Sequence, residues 1–276
     1  MAFILDRGPV ADSIVSPAFL PRSRSPIIKA GRERSGDAAH PRFPNCAACF
    51  PESPVFRIKV CGIRGAADAI AARDAGVDAI GLNFHAPSPR SIDEAAAEAM
   101  RRAVPGDFLE WVGVFVNDEP DRIRRVARRA GLNHVQLHGD EDAERIAELA
   151  PLSVIRAVRV RDGESLMDAV ERTIGTMPPG NLAGLLADFH HDRLFGGSGR
   201  SLAWNELGAP SGAWGRVPWI LAGGLTPANV AVAVQMAKPH AVDTASGVES
   251  APGNKDSDAM RAFVRAARSA FGTLSE

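Results

Sequence analysis

Residues 56–84 read FRIKVCGIRGAADAIAARDAGVDAIGLNF, and the prediction of the fold starts from the pattern of this stretch. A short apolar run opens it, a segment of helical period follows at 66–75, and a second apolar run ends it. In the middle segment Ala67, Ile70 and Ala71 recur at three- and four-residue spacing, which places them on one apolar stripe of a helix. A strand, a helix and a strand in this order predict one unit of a parallel α/β sheet.

The same alternation continues along the chain and predicts the complete architecture. Candidate strands lie at 56–61, 79–84, 110–116, 134–138, 153–160, 182–188, 218–222 and 241–246. Amphipathic helical stretches lie at 66–75, 92–104, 120–130, 142–150, 164–174, 227–237 and 256–271. Eight strands with crossover helices in about 220 residues are typical of a single (β/α)₈ TIM barrel. A doubly wound sheet usually has fewer strands and would leave two of these runs unexplained.

Residues 1–54 differ from this pattern. They hold eight of the 20 prolines and show no lasting apolar periodicity. Proline at this density disfavours helices and central strands, so we expect a disordered leader or a misassigned start, followed by a catalytic barrel at 55–276. An organelle transit peptide is the alternative, but acidic residues such as Asp6 and Asp12 disfavour it.

A Cys-x-x-Cys motif, Cys46 and Cys49, lies within the leader. Such a motif suits a redox pair or half of a zinc site. Because no second pair stands at suitable spacing and no strand–helix setting surrounds it, we expect two incidental thiols.

Composition excludes several classes of protein. The chain has 276 residues, 45% hydrophobic and 24% charged, with a net charge of −1. This balance is typical of a globular enzyme and argues against a chain built to bind nucleic acid or an anionic membrane. No apolar run approaches the length of a membrane span. Three cysteines cannot form a disulfide framework, which favours a reducing, cytoplasmic location. Without any Tyr, proton chemistry falls to Asp, Glu, His, Cys or Lys.

The predicted strand ends carry the chemistry, since TIM barrels hold their active sites where strands lead into βα loops. Lys59 and Cys61 alternate along the first strand and share one face. If that face is the barrel interior, Cys61 lies at the mouth. Lys59 then belongs to an inner polar layer, paired with a carboxylate that the sequence does not identify.

Three glycine-rich strand ends predict a phosphate site. Gly223 and Gly224 follow the seventh strand, Ser246 and Gly247 follow the eighth, and a third segment surrounds Gly197. Barrels commonly hold a phosphate on backbone N–H groups in the loops after the seventh and eighth strands. Glycine permits close approach of the backbone to an anion. We therefore expect a phosphorylated small-molecule substrate.

Several motifs occur together and in order. They lie at 59–63, 83–90, 113–117, 135–139, 196–199, 243–249 and 252–256. Together they resemble the phosphoribosylanthranilate isomerase family of tryptophan biosynthesis, and the resemblance covers residues 56 to about 270. It implies an aldose–ketose isomerase that converts N-(5-phosphoribosyl)anthranilate to 1-(2-carboxyphenylamino)-1-deoxyribulose 5-phosphate by an Amadori rearrangement. It also implies that neither a metal nor an organic cofactor takes part.

The resemblance assigns the acid–base pair. It implies that Cys61 is the general base and Asp188 the general acid, with Asp192 as the alternative acid in a loop where the family varies in length. A Cys acts as a base only as thiolate, so the site must lower its pKa or use the thiolate fraction. The carboxylic acid must stay protonated near neutral pH, which burial favours. Adjacent His190 and His191 invite a metal site, but neighbours on a loop seldom converge on one ion.

The resemblance also implies four substrate contacts. Arg90 corresponds to the arginine that pairs with the anthranilate carboxylate, and its alternative is a surface ion pair. Asp243 corresponds to a residue near the anthranilate and the ribose hydroxyls, or it only orients Arg90. Gln136 and His138 line the mouth, where a structural hydrogen bond is the alternative to a substrate contact.

Two other functions remain open from the sequence. Another phosphate-binding barrel, such as a sugar-phosphate epimerase or a histidine-pathway isomerase, would not explain Cys61 together with Arg90. A non-catalytic phosphate sensor or scaffold should have lost the acid or the base. The sequence leaves the association state as monomer or homodimer, and it leaves open a substrate range that extends to the related histidine intermediate.

Overall fold

A computed structural model describes most of the predicted barrel. The described residues are 55–104, 106, 109–161, 164–175, 178–188 and 214–274. The leader predicted at 1–54 lies outside them, as do the glycine-rich segment around Gly197 and the loop residues His190, His191 and Asp192.

Eight parallel strands close into a barrel in sequence order, and β1 pairs with β8. The strands are β1 Ile58–Cys61, β2 Ala79–Asn83, β3 Glu110–Phe115, β4 His134–Leu137, β5 Ser153–Arg159, β6 Leu182–Asp188, β7 Trp219–Ala222 and β8 Ala241–Thr244. All eight predicted strands are confirmed, and their ends agree with the prediction to within two residues.

Helices alternate with the strands on the outside of the barrel, as predicted, but the apolar stripe predicted in the first helix is displaced: Ala69 and Ala72 are buried, whereas Ala67 is exposed. The helices are α1 Ala66–Asp74, α2 Glu94–Ala103, α3 Pro120–Ala130, α4 Ala143–Glu148, α5 Leu166–Ile174, α6 Val230–Ala237 and α7 Ser257–Thr273. Side chains of Asp93, Asp142, Ser165 and Asp256 cap four of them by accepting backbone N–H bonds in the first turn. Between β6 and β7 the chain at 189–213 lies outside the described residues.

The end of β8 differs from the prediction, which carried this strand to residue 246. The strand ends at Thr244, whose hydroxyl donates to the carbonyl of Leu225 at 2.7 Å. A 3₁₀ turn then covers Ser246–Val248. A β-carbon at Gly247 would lie 1.8 Å from the Leu225 carbonyl oxygen, so the chain must turn here and only glycine fits. An antiparallel hairpin of β9 Glu249–Ala251 and β10 Asn254–Lys255 follows.

The hydrophobic core has two parts. The larger part joins the outward faces of the strands to the helices. The smaller part consists of strand side chains with Phe56 and fills the inside of the barrel. Buried polar side chains on the inward face accompany it, namely Lys59, Gln136 and Asp243, whereas the buried Arg156 lies on the outward face of β5. Among the described residues no helix combines the length and apolar character required to cross a bilayer.

Candidate active site

A buried ion pair joins the first and last strands. Lys59 of β1 lies in register with Asp243 of β8, and the Lys59 Nζ is 2.9 Å from the Asp243 Oδ2. The Lys59 side chain is fully buried. Burial has the largest single effect on the pKa of Lys59 and lowers it, but the charges of Asp243 and Cys61 and the hydrogen bonds to both together raise it more, so the net shift is upward and the amine stays charged. Asp243 is therefore the carboxylate partner of Lys59 that the sequence did not identify.

Cys61 ends β1 on the same face as Lys59, and it is partly exposed at the carboxyl end of the strands. Its register partner is Gly81, where a β-carbon would lie 2.6 Å from the Cys61 sulfur. The sulfur therefore occupies space that only glycine leaves free. Burial raises the pKa of the Cys61 thiol, while the nearby charge of Lys59 acts in the opposite direction. Because the net shift is upward, the thiol form predominates near neutral pH.

A chain of hydrogen bonds connects β4 to the end of β6. The Gln136 Nε2 lies 3.0 Å from the His138 Nδ1, and the His138 Nε2 lies 3.1 Å from an oxygen of Asp188. With Gln136 donating, His138 carries its proton on Nε2 and donates to Asp188. Asp188 is the last residue of β6 and its side chain is 20% exposed. One carboxyl oxygen is thus held by His138 at the mouth of the barrel.

Two buried acceptors remain without hydrogen bonds from the part of the chain that is described: Gln136 Oε1 and Asp243 Oδ1. Buried polar atoms are nearly always hydrogen-bonded, so these two atoms need a partner from elsewhere. Burial has the largest effect on the pKa of Asp243 and raises it. The nearby charge of His138 lowers this pKa, and the charge of Asp188 raises it. These electrostatic effects mean that the predicted residues of β4, β6 and β8 face one another.

Arg90 makes a bidentate ion pair, the alternative that the sequence left open, with a partner that the sequence did not identify. Its Nε and Nη2 each lie 2.7 Å from one oxygen of Glu249, whose side chain is 3% exposed. The Nζ of Lys255 also lies 2.7 Å from Glu249. Asp243 was one candidate for orienting Arg90, but Glu249 makes these bonds. The signal was available in the motifs at 243–249 and 252–256, yet sequence alone does not show that Glu249 meets a residue 159 positions away.

The two glycine-rich loops of the predicted phosphate site lie against each other. Gly223 and Gly224 both have positive φ, at 92° and 64°, directly after β7. The close approach of Gly247 to the Leu225 carbonyl brings the loop after β8 onto the loop after β7. Four of the five predicted phosphate residues, including Ser246, therefore share one edge of the barrel, and Gly197 lies outside the described residues.

Comparisons with known proteins agree on one family. A family model described as N-(5'-phosphoribosyl)anthranilate (PRA) isomerase matches residues 58–266. N-(5'-phosphoribosyl)anthranilate isomerase of Myxococcus xanthus is 48% identical over 216 residues, covering 77% of this chain and 96% of the relative.

Solved structures of the same family superpose on the barrel. The phosphoribosyl anthranilate isomerase of Thermotoga maritima is 36% identical with a TM-score of 0.66, covering 78% of this chain and 99% of that one. A phosphoribosyl anthranilate isomerase in complex with reduced 1-(o-carboxyphenylamino)-1-deoxyribulose 5-phosphate is 34% identical with a TM-score of 0.63, at the same coverage.

Proposed function

Because the chain belongs to the N-(5'-phosphoribosyl)anthranilate isomerase family, we propose that the mouth of its barrel carries out the Amadori rearrangement of tryptophan biosynthesis with Cys61 as general base and Asp188 as general acid. The observation that carries the proposal is the position of these two residues, each the last residue of its strand in one closed parallel barrel. Active sites of such barrels lie at this end of the strands.

The first step asks for an acid. Protonation of the ribose ring oxygen by Asp188 breaks the bond from that oxygen to C1, and the anilino nitrogen supplies the electron pair that forms the Schiff base. His138 contacts one oxygen of Asp188 and so orients this carboxyl group at the mouth of the barrel for proton transfer. Gln136 fixes the tautomer of His138 in which Nε2 donates.

The second step asks for a base. Transfer of the C2 proton to the Cys61 sulfur moves the C–H electron pair into the C1–C2 bond and neutralises the iminium nitrogen, giving an enolamine that tautomerises to the ketone. Since burial raises the pKa of the thiol, the enzyme uses a small thiolate fraction. The Lys59 ammonium group supports that thiolate, because its charge lowers the thiol pKa.

The remaining polar groups suit the rest of the substrate. Arg90 offers a planar fork for the anthranilate carboxylate. The unpartnered Asp243 Oδ1 and Gln136 Oε1 suit ribose hydroxyl groups, which are hydrogen-bond donors. Backbone N–H groups of the paired loops after β7 and β8 suit the 5-phosphate, with Ser246 and the three glycines around them.

Turnover tests this proposal directly. We expect purified protein to isomerise N-(5-phosphoribosyl)anthranilate, formed in situ from anthranilate and phosphoribosyl pyrophosphate. We expect kcat to fall about 10²- to 10⁴-fold in both Cys61→Ala and Asp188→Asn, the usual contribution of an acid–base group. Asp121→Asn, whose side chain is 95% exposed on α3, is the matched control and should retain activity.

The outcomes separate the roles. Loss of activity only in Cys61→Ala would move the acid to Asp192 or another residue of that loop. A folded wild-type protein without turnover, which still binds the reduced product analogue, would contradict the isomerase and favour the phosphate-binding scaffold.

The same proposal extends to organisation and compartment. We expect residues 55–276 to form the catalytic domain, so that limited proteolysis of the full chain cleaves within 1–54 and leaves the barrel intact. We expect a cytoplasmic enzyme, because three cysteines in 276 residues suit a reducing compartment. Cell fractionation tests the compartment, and light scattering distinguishes the monomer from the homodimer.

A further inference from the structure

We infer that Glu249 and Lys255 are positioning residues. Glu249 fixes the Arg90 guanidinium for a substrate carboxylate, and Lys255 keeps the net charge of the three-residue cluster positive. This inference rests on the proposed function, in which Arg90 contacts that carboxylate. Neither residue is proposed to touch the substrate.

Among the described residues only Glu249 bonds to the Arg90 guanidinium, which leaves one of its edges for a second carboxylate. Glu249 occupies the side edge, because its two oxygens contact Nε and Nη2. The end edge consists of Nη1 and the second proton of Nη2, which together match the spacing of a carboxylate. The Arg90 side chain is 23% exposed, whereas that of Glu249 is 3% exposed. Glu249 is therefore the buried partner, and Arg90 is the partner that solvent and ligands can reach.

Lys255 completes the charge balance behind Arg90. Its side chain is fully buried, and its Nζ contacts Glu249 at 2.7 Å and the carbonyl of Ala245 at 2.9 Å. Two cations and one anion leave the cluster with a net charge of +1. An Arg90–Glu249 pair alone would be neutral, and an incoming carboxylate would meet the repulsion of Glu249.

Glu249 holds its charge under all working conditions. Burial raises its pKa, but hydrogen bonds from Arg90 and Lys255 lower it to about 2. The group that anchors Arg90 is thus a carboxylate that stays ionised from weakly acidic pH upward.

The cluster is adjacent to the proposed base. A β-carbon at Gly62 would lie 2.5 Å from the Cδ of Arg90, so the stem of Arg90 crosses the residue that follows Cys61. Gly62 also has a positive φ of 77°. Orienting the guanidinium at this point orients the aromatic ring of the substrate relative to C2, because ring and ribose are joined by a single nitrogen.

Two ligands distinguish positioning from a merely structural clamp. The first is reduced 1-(o-carboxyphenylamino)-1-deoxyribulose 5-phosphate, and the second is its phenylamino counterpart without the carboxyl group. We expect wild type to bind the first at least about tenfold more tightly in calorimetry, as a charge-assisted fork contact predicts. In Glu249→Gln we expect this preference to fall by at least about fivefold, with affinity for the second ligand kept within about twofold.

Kinetics supply a second readout. Glu249→Gln should raise KM about tenfold and change kcat less than about threefold, because the contact forms in the ground state as well. Lys255→Gln should weaken the carboxylate preference too, since it neutralises the cluster. Glu98→Gln is the matched control, because Glu98 also lies between two arginines, Arg102 at 2.9 Å and Arg129 at 3.2 Å, but on outer helices. It should leave both ligands unaffected.

Each outcome decides the inference. An unchanged carboxylate preference in Glu249→Gln overturns it, and so does an equal loss of affinity for both ligands, which indicates a structural clamp. If Glu249→Gln fails to fold, Lys255→Gln carries the same comparison, and an unchanged preference there overturns the inference. Arg90→Gln separates this inference from its premise: if that variant keeps the preference, Arg90 does not bind the carboxylate and the proposed role of Arg90 itself fails.

Discussion

Two buried ion pairs, one on the inward and one on the outward face of the barrel strands, differ in how completely they are satisfied. Arg156 lies 3.5 Å from Glu141, and its guanidinium donates to the backbone carbonyls of Leu137, Gly139, Glu141 and Ala157. The two oxygens of Glu141 accept the amides of Asn117 and Gly139 at 2.7 and 2.8 Å. By contrast, the Lys59–Asp243 pair leaves Asp243 Oδ1 without a hydrogen bond from any described residue.

From this difference we infer which pair stabilises the fold and which takes part in the chemistry. The Arg156 pair ties the end of β4 and the loops after β3 and β4 to β5, so its contacts are internal and complete. The Lys59–Asp243 pair lies beside Cys61, and its Asp243 Oδ1 accepts no hydrogen bond from the described residues, so it can accept one from a ligand. Buried polar groups usually have partners, and an unpartnered one needs an explanation such as a bound ligand. We interpret Arg156–Glu141 as structural and Lys59–Asp243 as functional.

Removal of Arg156 should have the largest effect on stability. Arg156→Met leaves a buried carboxylate without its counter-ion and four carbonyl groups without this donor, so we expect the free energy of unfolding to fall by about 3–5 kcal/mol in denaturant titrations. The activity per folded molecule should stay within about threefold of wild type. Arg172→Met is the matched control, because Arg172 makes a bidentate pair with Glu164 on the surface and should cost less than about 1 kcal/mol. A small loss in Arg156→Met would contradict the structural interpretation.

Removal of Lys59 should act mainly on the thiol. In Lys59→Met the Cys61 thiolate loses its nearest cation, so the pKa of the thiol should rise and kcat at neutral pH should fall about tenfold per pKa unit. Ultraviolet absorbance of the thiolate measures this pKa in a Cys46→Ser/Cys49→Ser background. Lys238→Met, at an exposed position that ends α6, is the control. An unchanged thiol pKa together with an unchanged rate would show that Lys59 plays no part in the chemistry.

A largely buried histidine at the start of β4, His134, should affect stability alone. Burial lowers the pKa of His134 to about 4, and its Nδ1 lies 2.7 Å from the Ser153 hydroxyl. Since the unfolded state binds a proton below about pH 6.5 and the folded state only near 4, stability falls as pH decreases between these values. Between pH 7.5 and 6 we expect a loss of about 0.8 kcal/mol.

The variant His134→Gln isolates this effect. Its stability should lack that part of the pH dependence, and its kcat should follow the wild-type pH profile because the residue lies at the opposite end of β4 from His138. Burial raises the pKa of Glu110, whose Oε2 lies 3.5 Å from the His134 Nε2, so the difference between the variant and the wild type, rather than the wild-type curve alone, measures the contribution of His134. Identical pH dependence of unfolding in the variant and the wild type would exclude His134 as the cause.

The sequence predicted the barrel because its evidence is local. Apolar periodicity and strand length are properties of short segments, and they located all eight strands and placed Lys59 and Cys61 on one face. Pairing partners were not predictable, because barrel closure decides them. Asp243 meets Lys59 across 184 positions, and Glu249 meets Arg90 across 159. The end of β8 was missed for a similar reason, since its turn depends on the contact between Gly247 and Leu225.

The most direct test of the account removes both charges of each pair and measures unfolding and turnover on the same preparations. We predict that Lys59→Met/Asp243→Asn keeps its free energy of unfolding within about 1 kcal/mol of wild type, because replacing both partners avoids an unpaired buried charge. Its kcat/KM should fall at least about a hundredfold. Arg156→Met/Glu141→Gln should show the opposite pattern. Its free energy of unfolding should fall by at least about 3 kcal/mol, while the folded molecules stay active. Near wild-type turnover in the Lys59/Asp243 double variant would contradict the functional interpretation of that pair.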